Sequence, residues 1–211
     1  CRDLGCALLG GETAEMPGVY QSDELDLVGT IVGVVERDGI IDGARIQPGD
    51  AILALPSSGL HTNGYSLARR ALADLDWSET RDDLGMSIGA ALLAIHRPYL
   101  GPVDQLRAAG IDIRGLAHIT GGGVIDNLPR ILPETTSARI QRGTWTEPPI
   151  FDLITKQADV SADEMFKVFN MGLGMLVVIP AAQMHDAQAL VPEAQQVGEI
   201  IKGARRVEIL R

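Results

Sequence analysis

Apolar and polar positions fall into blocks whose period changes along the chain. Residues 6–9 form a short apolar run closed by Gly10 and Gly11, and residues 12–24 are loop-like. Residues 25–35, dense in Val, Ile and Leu, have the continuous apolar character of a strand buried on both faces. Residues 36–49 are polar and carry Gly39, Gly43, Pro48 and Gly49, which marks a connector and a domain boundary. Beyond it strands and helices alternate. The pattern predicts a strand over 51–55, a Gly- and Ser-rich loop over 56–64, and a helix over 65–75 with Leu67, Ala71, Leu72 and Leu75 on one face. Helices follow over 87–95 and 103–109, separated by Pro98 and Pro102, the second closed by Gly110. Gly121, Gly122 and Gly123 open a helix running to 132, and 138–141 reads as a strand. Pro149 stands where an N-terminal proline starts a helix over 150–157, and Ser161 with Glu164 has capping-box spacing for a helix ending near Asn170. A central strand at 175–179, a helix at 181–190 and two closing strands at 196–201 and 205–210 complete the pattern. The expected fold class is α/β (α+β), with residues 1–35 belonging to one body, 36–49 connecting, and 50–211 forming a second domain.

Composition narrows the possible partners. The chain has 211 residues, 45% of them hydrophobic and 22% charged, which suits a globular protein with a sizeable core. Lys and Arg number 18 against 28 Asp and Glu, a net charge of −10, so a nucleic-acid partner is not expected. A small anion held by backbone amides remains compatible with that charge. No apolar run approaches the roughly 18 residues of a membrane span, and no basic-then-apolar leader opens the sequence, so no membrane partner is expected. Cys1 and Cys6 are too few for a disulfide framework, which points to a reducing, cytoplasmic location. Aromatics are 4% and glycines number 24, favouring sites lined by backbone over stacking platforms. The sequence opens Cys-Arg-Asp with no initiator Met and reads as a piece of something longer.

Four segments carry candidate chemistry. In Gly10-Gly11-Glu12-Thr13-Ala14-Glu15-Met16-Pro17-Gly18 the glycines permit close backbone approach, and two carboxylates three residues apart suit a hard cation. A plain turn with two solvated glutamates fits the same spacing. The segment Ser57-Ser58-Gly59-Leu60-His61-Thr62-Asn63-Gly64, between a strand and a helix, offers backbone amides and the polar groups of Ser58, Thr62 and Asn63 around a titratable histidine. The plainer alternative is a helix cap at Thr62 or Asn63 beside a surface histidine. Thr120-Gly121-Gly122-Gly123 repeats the strand–glycine loop–helix arrangement ahead of Asn127, without the spacing of a dinucleotide or Walker loop. It also suits a tight packing corner. In Phe169-Asn170-Met171-Gly172-Leu173-Gly174 glycines alternate at a strand entry, and Asn170 either caps the preceding helix or faces a ligand. The histidines at 61, 96, 118 and 185 show no metal-ligand spacing, and His118 reads as a hydrogen-bonding rather than a metal-binding residue.

Taken in order, the segments 10–18, Ser57 to Leu67, His118-Ile-Thr-Gly-Gly-Gly with Asn127-Leu-Pro-Arg130, and 169–175 resemble the phosphoribosylformylglycinamidine cyclo-ligase (AIR synthetase) family over essentially the whole chain. The resemblance implies the end of an N-terminal nucleotide and dimerisation domain over 1–35 and the C-terminal α/β domain over 50–211, with a further N-terminal segment upstream. It implies a homodimer in the full-length protein and ATP-dependent closure of formylglycinamidine ribonucleotide to aminoimidazole ribonucleotide, with release of ADP and phosphate. In that family picture ATP phosphorylates the formyl amide oxygen, the ring nitrogen attacks the activated carbon, and phosphate leaves. Carried onto this sequence, Glu12 and Glu15 hold Mg²⁺, and His61 stabilises or protonates the oxygen under attack. Gly10, Gly11, Thr13, Ser58, Thr62, Asn63, Gly121, Gly122, Gly123, Asn127 and Asn170 line nucleotide and substrate. Thr62 stands where Ser is common, and Ile95-His96-Arg97-Pro98-Tyr99 stands where the family reads Thr-Arg-Ile-Tyr, leaving Arg97 and Tyr99 in place. The alternatives are another ATP-dependent enzyme of the superfamily, such as thiamine-monophosphate kinase or selenophosphate synthetase, and a non-catalytic binding or structural fragment.

Overall fold

The apolar blocks around 53 and 177 become neighbouring strands in the computed structural model, which describes residues 1–21 and 23–210. The chain divides into two units, the first ending at Ile40 and the second starting at Ile41.

The second unit is built on Asp50–Pro56 (β1), Tyr65–Ala71 (α1), the small hairpin Thr80–Arg81 (β2) and Met86–Ser87 (β3), Ile88–Leu92 (α2), Leu100–Ala108 (α3) and Gly115–His118 (β4). Gly123–Asn127 (α4), Thr136–Gln141 (β5), Pro149–Ala158 (α5), Ala162–Val168 (α6), Leu173–Pro180 (β6), Met184–Leu190 (α7), Gln195–Lys202 (β7) and Val207–Leu210 (β8) follow. Six strands form a mixed sheet in the order β4-β6-β1-β7-β5-β8, antiparallel throughout except for the β5–β8 pair. Side chains alternate across it. Ile52, Ala54, Leu176 and Val178 pack on one face with Phe151, Phe166 and Phe169, while Leu53, Leu55, Val177 and Ile179 pack on the other with Val103, Leu106 and Ala187. Helices cover both faces, which is why β1 and β6 read as unbroken apolar runs rather than as alternating ones. Each such fully buried side chain stabilises the fold by about 1.5–3 kcal/mol.

Most expected elements form, with boundaries moved for local reasons. The helix expected over 65–75 stops at Ala71, and the Leu72 carbonyl beyond it accepts from the Trp77 indole at 2.7 Å and from the Leu75 amide at 3.2 Å. That expected over 121–132 breaks into α4 and a 3₁₀ turn at Leu128–Ile131, because Pro129 has no N–H with which to continue an α-helix. The helix expected from 103 begins at Leu100 and keeps Pro102 in its first turn, where no N–H is required. Ser161 caps α6 by accepting from the Glu164 amide at 3.2 Å. No helix among the described residues is long and apolar enough to cross a membrane.

The strand expected over 25–35 does not form. Among the described residues of the first unit the only ordered features are 3₁₀ turns at Arg2–Leu4 and Arg37–Gly39 and an isolated bridge between Pro17 and Tyr20. Leu27 is 92% and Val34 98% exposed. A strand exists only through its neighbour's hydrogen bonds, and the first unit offers this segment none.

Candidate active site

Because β6 runs antiparallel to both β1 and β4, the C-terminal ends of β1 and β4 and the N-terminal end of β6 meet at one edge of the sheet. Three of the four motif segments therefore converge: 57–64 leaves β1, 119–123 leaves β4, and 169–172 enters β6. Glycine makes the convergence possible. A Cβ on Gly123, which has φ 58°, would lie 1.9 Å from the Phe166 carbonyl oxygen, and one on Gly64, with φ 81°, would lie 2.2 Å from the Phe169 ring.

Two buried asparagines staple these loops. Asn170 Oδ1 accepts from the Gly172 amide and lies 2.9 Å from Ser57 Oγ, while its Nδ2 donates to the Gly59 carbonyl at 2.9 Å. Asn127 Nδ2 donates to the Gly123 carbonyl at 2.8 Å and to that of Gly121 at 3.1 Å, and its Oδ1 accepts from the Thr120 hydroxyl at 3.1 Å. Both amides are thus spent on holding loops, and Asn170 does not cap α6, whose C-cap is Phe169. Neither Thr62 nor Asn63 caps α1, whose N-cap is Gly64 with no side-chain bond. Thr62, Ser58, Gly121 and His118 are exposed, and Asn63 and Gly122 are half-buried, so the rim of the edge carries accessible amides and hydroxyls.

His61 sits at the centre, 4% exposed and in the left-handed region at φ 58°. Its Nε2 accepts the Ser58 backbone N–H at 3.1 Å. That bond fixes the tautomer, because a nitrogen accepting a hydrogen bond carries no proton, so the proton of the neutral ring is on Nδ1. Nδ1 is buried and has no partner. Burial, and then the positive charge of His96, His118 and Arg97, holds the His61 pKa down to about 4. Its ring stacks on that of His96 at 3.9 Å and 17°, and His96 Nε2 lies 3.1 Å from His118 Nε2. Burial lowers the pKa of His118, and burial followed by the charge of His118 lowers that of His96. The Tyr99 hydroxyl donates to the Pro56 carbonyl at 3.0 Å, and burial pushes its pKa up to about 12.

The structure thus gathers His61, Ser58, Thr62, Asn63, Gly121, Gly122, Gly123, Asn127 and Asn170 around one sheet edge. Gly10, Gly11, Glu12, Thr13 and Glu15 lie in the first unit, all exposed, and the two glutamates belong to no cluster of three or more ligating groups among the described residues. Sequence reasoning missed the nearness of His96 and His118 to His61. No spacing signal announces it, since the three come from a loop, an extended segment and a strand end that only the sheet brings together.

Residues 47–210 match the family described as AIR synthase related protein, C-terminal domain. The chain belongs to this family. It is 50% identical over 210 residues to the phosphoribosylformylglycinamidine cyclo-ligase of Myxococcus xanthus, covering 96% of this chain and 61% of that protein. It is 47% identical over 203 residues to the enzyme of the same name from a Synechococcus species, covering 95% of this chain and 57% of that one. The AIR synthase-related chain therefore spans about three-fifths of the length of these relatives. Its fold is shared by the hydrogenase maturation protein HypE solved in complex with ATP, at 18% identity and a TM-score of 0.57, over 83% of this chain and 51% of HypE.

Proposed function

We propose that this chain is the C-terminal part of a phosphoribosylformylglycinamidine cyclo-ligase, an ATP-dependent ligase of purine biosynthesis. The observation that carries the reading is the near-50% identity to cyclo-ligases over almost the whole chain, with all four motif segments inside the matched region. The ATP held by HypE, which shares the fold, supports nucleotide use. On this reading residues 1–35 end an N-terminal nucleotide domain, 36–49 connect, 50–211 form the C-terminal domain, and the full-length protein is a cytoplasmic homodimer.

Phosphoryl transfer to an amide oxygen, followed by ring closure and loss of phosphate, demands positioning and charge neutralisation more than covalent help. Asn170 and Asn127 hold the loops, the buried Gly123 lets them close together, and the accessible groups of Ser58, Thr62, Asn63, Gly121 and Gly122 bind the substrate's phosphate and ribose. His61 acts as a neutral donor. With its pKa near 4 it is not an imidazolium at neutral pH, so once substrate binding opens the contacts that bury Nδ1 it stabilises developing negative charge on oxygen through Nδ1–H instead of delivering a proton. The carboxylate oxygens of Glu12 and Glu15 suit Mg²⁺, a hard cation that keeps several waters, and Gly10, Gly11 and Thr13 lie beside them for the nucleotide. Bound Mg²⁺ supplies charge neutralisation at the ATP phosphates.

The test is phosphate release with ATP, Mg²⁺ and formylglycinamidine ribonucleotide, by this chain and by a version extended upstream to the relatives' length. Turnover by the extended protein is expected, with little or none by the 211 residues alone. If neither form releases phosphate with this substrate, the cyclo-ligase reading fails.

A further inference from the structure

We propose that His61, His96 and His118 form a binding site for a single divalent transition-metal ion of the kind that prefers imidazole nitrogen: Zn²⁺, Co²⁺, Ni²⁺ or Cu²⁺. One ring nitrogen from each lies within 4.8 Å of those from the others, and among the described residues no other group of three or more ligating side chains comes as close together. The donor set is nitrogen alone, which selects these ions over Mg²⁺ or Ca²⁺ and separates the site from any role of Glu12 and Glu15.

His96 and His118 supply the first two ligands. Their Nε2 atoms face each other across 3.1 Å. An ion placed between them at the usual metal–nitrogen distance of about 2.0–2.1 Å sees them at an angle of about 100°, close to tetrahedral. The third ligand is the nitrogen with no other use. His61 Nε2 already takes the Ser58 amide, whereas Nδ1 is buried and unpartnered. Ligation through Nδ1 shifts the ring proton to Nε2 and exchanges the Ser58 hydrogen bond for a metal bond.

The stack must open for all three to engage, because near-parallel rings 3.9 Å apart aim their in-plane lone pairs side by side. The ring free to turn is His96. It is half-buried, lies between α2 and α3 in a segment with no helix or strand, and lines a groove of about 450 Å³ together with Arg97, Tyr99, Leu116, His118 and Met175. That groove also admits the water or anion that completes a four-coordinate shell. Arg97, which lines the same groove, is paired with Glu193 at 2.6 Å, which offsets its repulsion of a metal ion. Ligation and hydrogen-bond donation by His61 Nδ1 exclude each other, so the metal-loaded protein is one in which His61 cannot donate. The site itself rests on geometry and not on the cyclo-ligase reading.

The experiment titrates Co²⁺ into the purified protein, with Cys1→Ser and Cys6→Ser removing the two thiols, and follows the visible d–d absorption. Equilibrium dialysis against Zn²⁺ gives the stoichiometry. One ion per chain is expected, bound in the micromolar range or tighter. His96→Thr is expected to weaken it at least about 100-fold, the upper end of the loss caused by removing a mere supporting residue. His185→Ala, which alters the histidine outside the cluster, is expected to leave it unchanged. His118→Ala repeats the test from a strand end. If that variant does not fold, His96→Thr decides, with its metal-free melting temperature as the control. Absence of stoichiometric Co²⁺ binding, or binding that survives His96→Thr, overturns the proposal.

Discussion

A single backbone amide decides what His61 can do. The Ser58 N–H on Nε2 leaves the proton on a buried Nδ1 with no acceptor, a state that costs about 1–3 kcal/mol unless a ligand supplies one. The same burial makes the folded protein sensitive to acid. Unfolded, His61 titrates near 6.5, and folded near 4, so between these values the unfolded chain binds more protons and stability rises with pH. The contribution is intact above about pH 6.5 and lost as pH falls towards 4, amounting to about 3 kcal/mol for a shift of this size. His96 and His118 are shifted in the same direction and add to the trend. Carboxylates such as Asp112, held low by Arg45 and Arg114 against the opposing effect of burial, also destabilise on acidification, so the difference between wild type and His61→Gln isolates the histidine. Urea midpoints at pH 7.5 and 4.5 should separate by less in His61→Gln than in wild type. Equal separations would show that His61 titrates normally in the folded state. Sequence could single out His61, because polar groups crowd its loop. It could not show the ring's tautomer, which depends on where one amide points.

At the scale of elements, the site is a consequence of strand direction. In the sequence the motif segments are separate features, two of them glycine loops suited to an anion and one a glycine-rich strand entry, and the antiparallel placement of β6 between β4 and β1 turns these three into one surface. The elements with strong periodic or apolar patterns, β1, α5, α6 and β6, were legible because their own residues determine them. The break after Asn127 was less so, since Pro129 changes the type of helix without changing its apolar face. What locks the loops together is Gly123, where a positive φ coincides with the Phe166 and Phe169 carbonyl oxygens at 1.9 and 2.9 Å from a notional Cβ. Both obstacles are backbone, so neither moves like a side-chain tip. Gly123→Ala is expected to cost at least about 3 kcal/mol, combining left-handed strain with displacement of the end of α6. Denaturant unfolding measures it, and a loss under 1 kcal/mol would mean that the loops are less tightly coupled than their contacts imply.

For the whole molecule, the segment 25–35 shows how far a sequence pattern reaches. Its apolar residues predict a buried strand and no strand forms, because burial and pairing both require a neighbour that the first unit does not provide. Leu25, Leu27, Val28, Ile31, Val32 and Val34 are each more than 80% exposed. Contiguous apolar surface of this kind, rich in β-branched residues, is a template for pairing with another chain. Among the described residues the second unit presents no comparable run: its apolar blocks are consumed by two cores on the faces of one sheet. The 211-residue chain is therefore expected to elute from size exclusion as a broad, concentration-dependent mixture of associated species, and residues 41–211 as a single sharp peak. On the proposed cyclo-ligase reading, extending the chain upstream to the relatives' length should sharpen the first profile, by giving 25–35 a sheet to join. If the 211-residue chain and residues 41–211 prove equally monodisperse, the exposed run is not adhesive and its apolar character needs another explanation.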